Sequence, residues 1–192
     1  MDIAIIGTGF IATTLGRALV GAGHLVTFGS RHPEHDTVDL PGARIASLAD
    51  ALADADAVIL AIPGPAVAEF SSSHEAALVG KLVIDATNRM GEAVANSRSA
   101  LPASVRYARA FNTLGGENFA DPVFSDGRAD LFFSAPEVDR ATVEEIIGAL
   151  GLRPVYVGED QEALIDALFQ LWIALALTQG RGRRLAFRLL EG

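Results

Sequence analysis

The sequence predicts an α/β fold, a doubly wound and mostly parallel sheet with a long helix at its C-terminal end. Three observations carry that expectation. Short apolar runs alternate with helix-like segments along the chain, the pattern of parallel strands joined by helical crossovers. The run 57–62, Ala-Val-Ile-Leu-Ala-Ile, is apolar at every position, as a strand covered on both faces is. The first run, 3–6, leads into Gly7-Thr8-Gly9-Phe10-Ile11-Ala12, a G-x-G-x-x-A pattern that opens a helix.

Each position in that opening has a physical task. Gly7 lets the chain leave the strand through a tight turn. Gly9 has no Cβ, so a pyrophosphate can approach the backbone. Ala12 is small enough for the helix to lie close on the sheet, and Gly16 falls on the same face. Leu15 and Leu19 supply apolar bulk, and Gly21-Ala22-Gly23 ends the helix. The free N–H groups and positive dipole end of such a helix suit a phosphate. A second strand, 24–28, follows. The opening therefore reads as strand, phosphate turn, helix and strand, the first half of a dinucleotide-binding fold.

The end of the second strand bears on which dinucleotide. An Asp or Glu there holds a ribose 2′-hydroxyl in NAD-binding proteins. This chain has Gly29-Ser30-Arg31-His32 instead, and the next acid is Glu34, beyond Pro33. A hydroxyl and a planar guanidinium suit a 2′-phosphate, which a carboxylate would repel. Charge-assisted bonds of this kind contribute about 1.5–3 kcal/mol each. NADP(H) is thus favoured over NAD(H).

The remaining elements follow in order. Residues 32–42 are polar, with two prolines, and read as a loop. Residues 43–46 suit a short third strand, and Ser47 an N-cap for a helix over 48–53. The apolar strand 57–62 stops at Pro63-Gly64-Pro65. A helix is expected over 66–78, a strand over 81–85, and a loop with a short helix over 91–101. Another strand, 105–111, runs into Asn112-Thr113-Leu114-Gly115-Gly116. A strand over 130–134, a helix over 137–150 closed by Gly151, and a last strand over 153–157 complete the binding domain, placed at 1–158. The remainder, 159–192, reads as a helical extension. Its stretch 163–177 is apolar on nearly every face, and such a helix has to be covered. A second copy of the chain is the expected cover, giving a homodimer through this helix.

Composition narrows the function classes. The 192 residues include 15 basic and 24 acidic ones, a net charge of −9. That argues against a general nucleic-acid or anionic-membrane binder. The local basic cluster Arg181, Arg183, Arg184 and Arg188 reads as a solvated helix face beside a helix end. With no cysteine, disulfides, thiolate chemistry and cysteine-bound metals are excluded. His32, His35 and Asp36 lie together in a polar loop without further ligands nearby, so no metal site is assigned. No apolar run reaches membrane-spanning length, and a cytoplasmic location is expected.

In a doubly wound sheet, ligands bind outside the carboxyl ends of the strands. Gly7 to Ala12, Ser30 and Arg31 would hold the adenosine and pyrophosphate. Ile62 and Pro63 would wall one face of the nicotinamide ribose and ring. Asn88, Asn112 and Thr113 are neutral hydrogen-bonding groups that suit either a carboxamide or turn chemistry. Asp85, ending a buried strand, is given a structural role. No Ser-His-Asp, paired-carboxylate or lysine arrangement stands out, so no catalytic side chain is assigned. A site without a proton donor suits direct hydride transfer between two bound rings, with the protein supplying orientation and exclusion of water.

Gly7-Thr8-Gly9 with Ala12, Gly23-His24, Gly29-Ser30-Arg31, the segment 85–88, Phe111-Asn112-Thr113 and Gly151-Leu152-Arg153-Pro154 resemble the NADPH-dependent deazaflavin (coenzyme F-420) reductases and the dinucleotide-binding oxidoreductases grouped with them. The same type of domain occurs in pyrroline-5-carboxylate reductase. The resemblance spans essentially the whole chain. It implies a Rossmann-type fold, NADP(H) with Ser30 and Arg31 on the 2′-phosphate, and hydride exchange with a second flat redox molecule such as coenzyme F-420. Arg89 is the residue nearest to a role in binding the acidic tail of that molecule. Two alternatives stay open: reduction of a flavin or of a small imine or carbonyl compound, and a non-catalytic NADP(H) sensor, favoured if the side of Trp172 closes the nicotinamide end.

Overall fold

The computed structural model describes residues 1–190 and 192. Six parallel strands form the main sheet: β1 (Asp2–Ile6), β2 (Leu25–Ser30), β3 (Ala43–Ser47), β4 (Ala57–Leu60), β5 (Leu82–Asp85) and β6 (Arg106–Arg109). Their order is β3-β2-β1-β4-β5-β6. The direction of winding reverses between β1 and β4, so their carboxyl ends part to leave a crevice. The expected doubly wound α/β fold is the fold observed.

Helices cover both faces. On one, α1 (Phe10–Gly21) and α6 (Arg140–Ala149) pack over Ile3, Ile5, Ile59 and Ile84. On the other, α2 (Leu48–Ala53), α3 (Val67–Ser73) and α4 (Glu75–Leu78) cover Ala4, Ile6, Val58, Leu60 and Val83. Alternate residues of one strand thus feed opposite cores, which explains why β1 and β4 are apolar throughout. Ser47 caps α2 as expected, its hydroxyl accepting from Asp50 N at 3.1 Å. The helix anticipated over 66–78 is instead a 3₁₀ turn at Gly64–Ala66 followed by α3 and α4, broken at His74. The Nδ1 of His74 hydrogen-bonds Phe70 O at 2.9 Å, and its ring stacks on Phe70. That side chain completes the last turn of α3 where the backbone leaves it.

Beyond β6 the chain forms α5 (Glu117–Ala120), a small hairpin of β7 (Val123–Phe124) and β8 (Gly127–Arg128), then β9 (Asp130–Phe133). The last strand, β10 (Arg153–Tyr156), pairs parallel with β9. An antiparallel bridge between Arg109 and Ser134 ties this pair to β6.

The C-terminal helix, α7 (Glu162–Ile173), continues as a π-helical turn over Ala174–Thr178. Within the single chain it is covered on one face. Ile165, Phe169, Trp172 and Ala176 are buried against the chain's own domain, whereas Leu164, Leu171 and Leu177 are exposed. The basic cluster also departs from expectation. Arg183 and Arg184 lie on no helix; they belong to an extended strap after residue 180. Arg183 pairs with Glu117 at 2.6 Å and Arg184 with Asp121 at 2.6 Å. Phe187 O accepts from Asp130 N at 3.1 Å, which anchors the strap to β9. Among the described residues, no helix is long and apolar enough to cross a membrane, and no cluster of three His, Cys, Asp or Glu side chains is placed to hold a metal.

Candidate functional site: a crevice at the strand ends

The glycine turn between β1 and α1 has the geometry its sequence demands. Gly7 adopts φ +116°, and a Cβ there would stand 2.7 Å from the Ala61 carbonyl oxygen. Only glycine fits. A Cβ on Gly9 would meet nothing within 4 Å, so open space lies where a ligand would approach. Gly9 is the N-cap of α1 and makes no side-chain cap, leaving the first N–H groups of a twelve-residue helix for an anion. Ala12 is wholly buried under the helix, which is the packing role expected of it.

A cleft of about 450 Å³ opens at this turn. Gly7, Thr8, Gly9, Ser30, Arg31, Ile62 and Pro63 all line it, so the structure brings these sequence-selected residues together. Ser30 is buried at the end of β2, while Arg31 stands exposed at the rim. Arg31 makes no ion pair among the described residues. The far wall was not anticipated: Ala66, Phe70, Ser73 and His74 face the β2 end across the cleft. They come from the helical segment after β4, whose sequence shows an ordinary amphipathic pattern.

An acid also enters this cleft. The Asp36 Oδ2 atom accepts from the Ser30 hydroxyl at 2.5 Å and from the Thr8 hydroxyl at 3.1 Å. Hydrogen bonds from Ser30 and Thr8 hold the Asp36 carboxyl below its usual range, with His32 and His35 adding to the effect against some desolvation.

A second, smaller pocket of about 140 Å³ lies at the ends of β5 and β6. Ile11 and Asn88 line it with Phe111, Phe169, Trp172 and Arg183. Phe10 and Ile11 reach the same region, since a Cβ on Gly116 would press on both side chains. The backbone here is strained at Phe111, with φ 67°. Asn112 and Thr113 sit beneath the pocket and are wholly buried. The Asn112 amide donates to Thr87 O at 2.9 Å and to Asn88 Oδ1 at 3.3 Å. Among the described residues, Asn112 Oδ1 and Thr113 Oγ1 have no hydrogen-bond partner. Asn88 therefore presents to the pocket, and Asn112 buttresses it.

Residues 2–89 match the family model described as NADP oxidoreductase, coenzyme F420-dependent. The first part of the chain, through β5, is therefore similar to this family. Solved proteins share the fold. One, from Arthrobacter sp. FB24 and named as a candidate F420-dependent NADP reductase, superposes with a TM-score of 0.85 at 22% identity, with 100% of each chain covered. A hypothetical protein from Sinorhizobium meliloti gives 0.69 at 25% identity over 100% of this chain and 96% of its own. An imine reductase from Streptomyces aurantiacus gives 0.71 at 22% identity over 95% of this chain and 69% of its own.

A buried network that no local motif announces sits behind the second pocket. Arg109 is wholly buried at the end of β6. It donates to Asp166 Oδ1 at 2.9 Å, to Thr87 O at 2.5 Å and to Asn88 Oδ1 at 3.2 Å. Asp85 accepts from Thr87 N, Ser97 N and the Tyr107 hydroxyl at 2.7–2.9 Å, the structural role its strand-end position implied. Arg89 lies folded over Gly64, donating to its carbonyl at 3.2 Å, and pairs with Glu92 at 3.7 Å. It lies between the ends of β4 and β5 and lines neither pocket.

Proposed function

We propose that the protein transfers a hydride between NADP(H), bound across the first cleft, and a second planar redox molecule at the pocket beside Trp172, in the manner of a coenzyme F-420:NADP oxidoreductase. Ser30, Thr8 and Arg31 take the 2′-phosphate, and the N-terminus of α1 takes the pyrophosphate. Ile62 and Pro63 guide the nicotinamide half toward Ile11 and Asn88. The observation that carries the reading is the lining of the second pocket. It holds aromatic rings, glycines, a neutral amide and the Arg183 guanidinium, and among the described residues no histidine, carboxyl, lysine or tyrosine lines it. Such a pocket can stack a ring and exclude water but supplies no proton, which fits hydride exchange between two ring systems.

The size of that pocket favours a second reading. At about 140 Å³ it is smaller than the roughly 300–1,000 Å³ typical of drug-sized ligands. A small imine or carbonyl compound fits it as it stands, and a deazaflavin requires the strap around Arg183 to move. An NADP(H) sensor is the limiting case of a strap that stays closed. Residues 1–158 form the binding domain in this proposal. The extension 159–192 presents Leu164 and Leu171, at 51% and 47% exposure, to a second copy. The setting is cytoplasmic.

The deciding experiment mixes purified protein and NADPH with oxidised coenzyme F-420, riboflavin, flavin mononucleotide or a cyclic imine in parallel cuvettes. Rapid bleaching of the deazaflavin band alone is the expected result. Turnover with the imine alone replaces the first reading by the second, and binding without turnover in any cuvette leaves the sensor.

A further inference from the structure

The residue pattern after β2 reads as a pure 2′-phosphate seat, but the folded chain puts a carboxylate in it. Asp36 lies six residues beyond Ser30 and returns through a turn in which His35 N and Asp36 N both donate to His32 O, at 2.9 and 3.0 Å. Its Oδ2 atom takes the hydroxyls of both Ser30 and Thr8. The same Ser30 oxygen accepts from His32 N at 2.9 Å, which holds it in place. Ser30, Thr8 and Asp36 all line the main cleft, with Arg31 at its rim. Its charged and titratable neighbours in the loop are Arg31, His32, Glu34 and His35, with Glu34 drawn toward the two histidines, and Glu69 and His74 line the cleft from the helical wall.

A 2′-phosphate and the Asp36 carboxylate need the same two hydroxyl donors and repel each other. A ribose 2′-hydroxyl instead needs an acceptor, and a carboxylate at the end of the second strand is the group that supplies it for NAD. We propose that Asp36 is a specificity-determining residue of the cofactor cleft, a resident carboxylate that competes with the 2′-phosphate for Ser30 and Thr8 and so narrows the preference for NADP(H) over NAD(H). This rests on the reading of the cleft as a dinucleotide site. With Asp36 in place the cleft accepts an unphosphorylated ribose. With its loop turned outward, Ser30, Thr8 and Arg31 close on the phosphate.

The test measures binding of 2′,5′-ADP, 5′-AMP, NADPH and NADH to the full chain and to its Asp36→Asn and Asp36→Ala variants by calorimetry. Asp36→Asn keeps the shape and an acceptor oxygen but removes the charge. The expected result is a rise of at least about tenfold in the ratio of 2′,5′-ADP to 5′-AMP affinity, in line with the worth of a charged hydrogen bond. NADPH over NADH should follow the same ratio. Asp36→Ala gives the same direction and guards against an effect peculiar to asparagine. Ligands that bind with a ratio unchanged in both variants overturn the role of Asp36 and leave the cleft assignment standing. Failure of all four ligands to bind the unaltered protein overturns both.

Discussion

The guanidinium of Arg109 in β6 donates to the carboxylate of Asp166 in α7 at 2.9 Å, with both groups shielded from water. This contact fastens the C-terminal helix to the sheet at the edge of the second pocket. The other oxygen of Asp166 accepts from the backbone N–H groups of Ala95 and Asn96 at 2.9 and 3.1 Å. One carboxylate therefore holds a helix, a strand and a loop in register. Asp166→Ala would leave a buried cation with a single carboxylate partner and strand two N–H groups. Breaking such a pair costs about 3–5 kcal/mol, so chemical denaturation should show a loss of that order. A loss under about 1 kcal/mol, the scale of an exposed pair, would mean that water reaches the network.

Gly16 tests packing against propensity. It is buried in α1, where alanine is favoured over glycine by about 1 kcal/mol. A Cβ there would stand 2.3 Å from Cζ of Phe28, whose ring is wholly buried. Overpacking costs about 1–3 kcal/mol, and the ring is enclosed by the core. Gly16→Ala should therefore destabilise the protein by about 1–2 kcal/mol in a urea titration. A stabilised variant would show that α1 lies further from β2 than the structure places it.

The tyrosines give a pH dependence with a definite sign. Burial, and then the charge of Asp85, push the Tyr107 hydroxyl far above its usual range. The Tyr156 hydroxyl, which donates to Ala135 O at 3.0 Å, is also raised, by desolvation first and then by the neighbouring Glu137 carboxylate. A folded pKa above the unfolded one means that the folded state keeps its proton longer. The associated stability is complete below about pH 10, the unfolded value, and is lost as pH rises above it. Tyrosinate absorbance should therefore lag behind that of free tyrosine and appear together with unfolding. Tyr107→Phe should remove the late step. Early, non-cooperative ionisation of both groups would contradict the burial of Tyr107.

How much of this was legible in the sequence depended on the range of the interaction. The phosphate turn and Ser30 could be placed because glycine chemistry and strand spacing are local. Asp85 could be given its structural role because a strand-end acid followed by Thr87 forms its own turn. Asp36 could not be singled out, since the polar loop also holds Glu34 and Asp39 and nothing local says which acid turns back. Arg109 looked like one polar residue in an alternating strand, and its partner Asp166 lies 57 residues away in an apolar helix. The same helix could be read only in part: apolar residues on all its faces implied cover, the fold itself covers one face and lays the strap of Arg183 and Arg184 beside it, and Leu164, Leu171 and Leu177 stay open within the single chain. Pairing of that strap with α5 needed Glu117 and Asp121, in a segment without periodicity.

Arg31 supplies the sharpest test of cofactor choice. It is exposed and lies at the rim of the cleft beside Ser30. Arg31→Ala should weaken NADPH by at least tenfold, about 1.4 kcal/mol, and leave NADH nearly unchanged. Fluorescence titration with each cofactor measures both. Equal losses would place Arg31 on the adenine or the pyrophosphate instead of the 2′-phosphate.

The protein's one tryptophan can report where the nicotinamide goes. Trp172 lines the second pocket with Ile11 and Asn88, and its indole N–H is held by Leu185 O at 2.9 Å. Oxidised nicotinamide quenches indole emission on contact, and an adenine nucleotide lacking that ring does not. Saturating NADP⁺ should therefore quench Trp172, and saturating 2′,5′-ADP should leave it bright. Arg183, which stands 5.7 Å above the same ring and pairs with Glu117, provides the control for access. If the strap limits entry, Glu117→Gln should speed the onset of quenching without changing the response to 2′,5′-ADP. Full quenching by both ligands would mean that the signal comes from a change in α7 rather than from the ring. No quenching by either would put the nicotinamide on another path from the cleft.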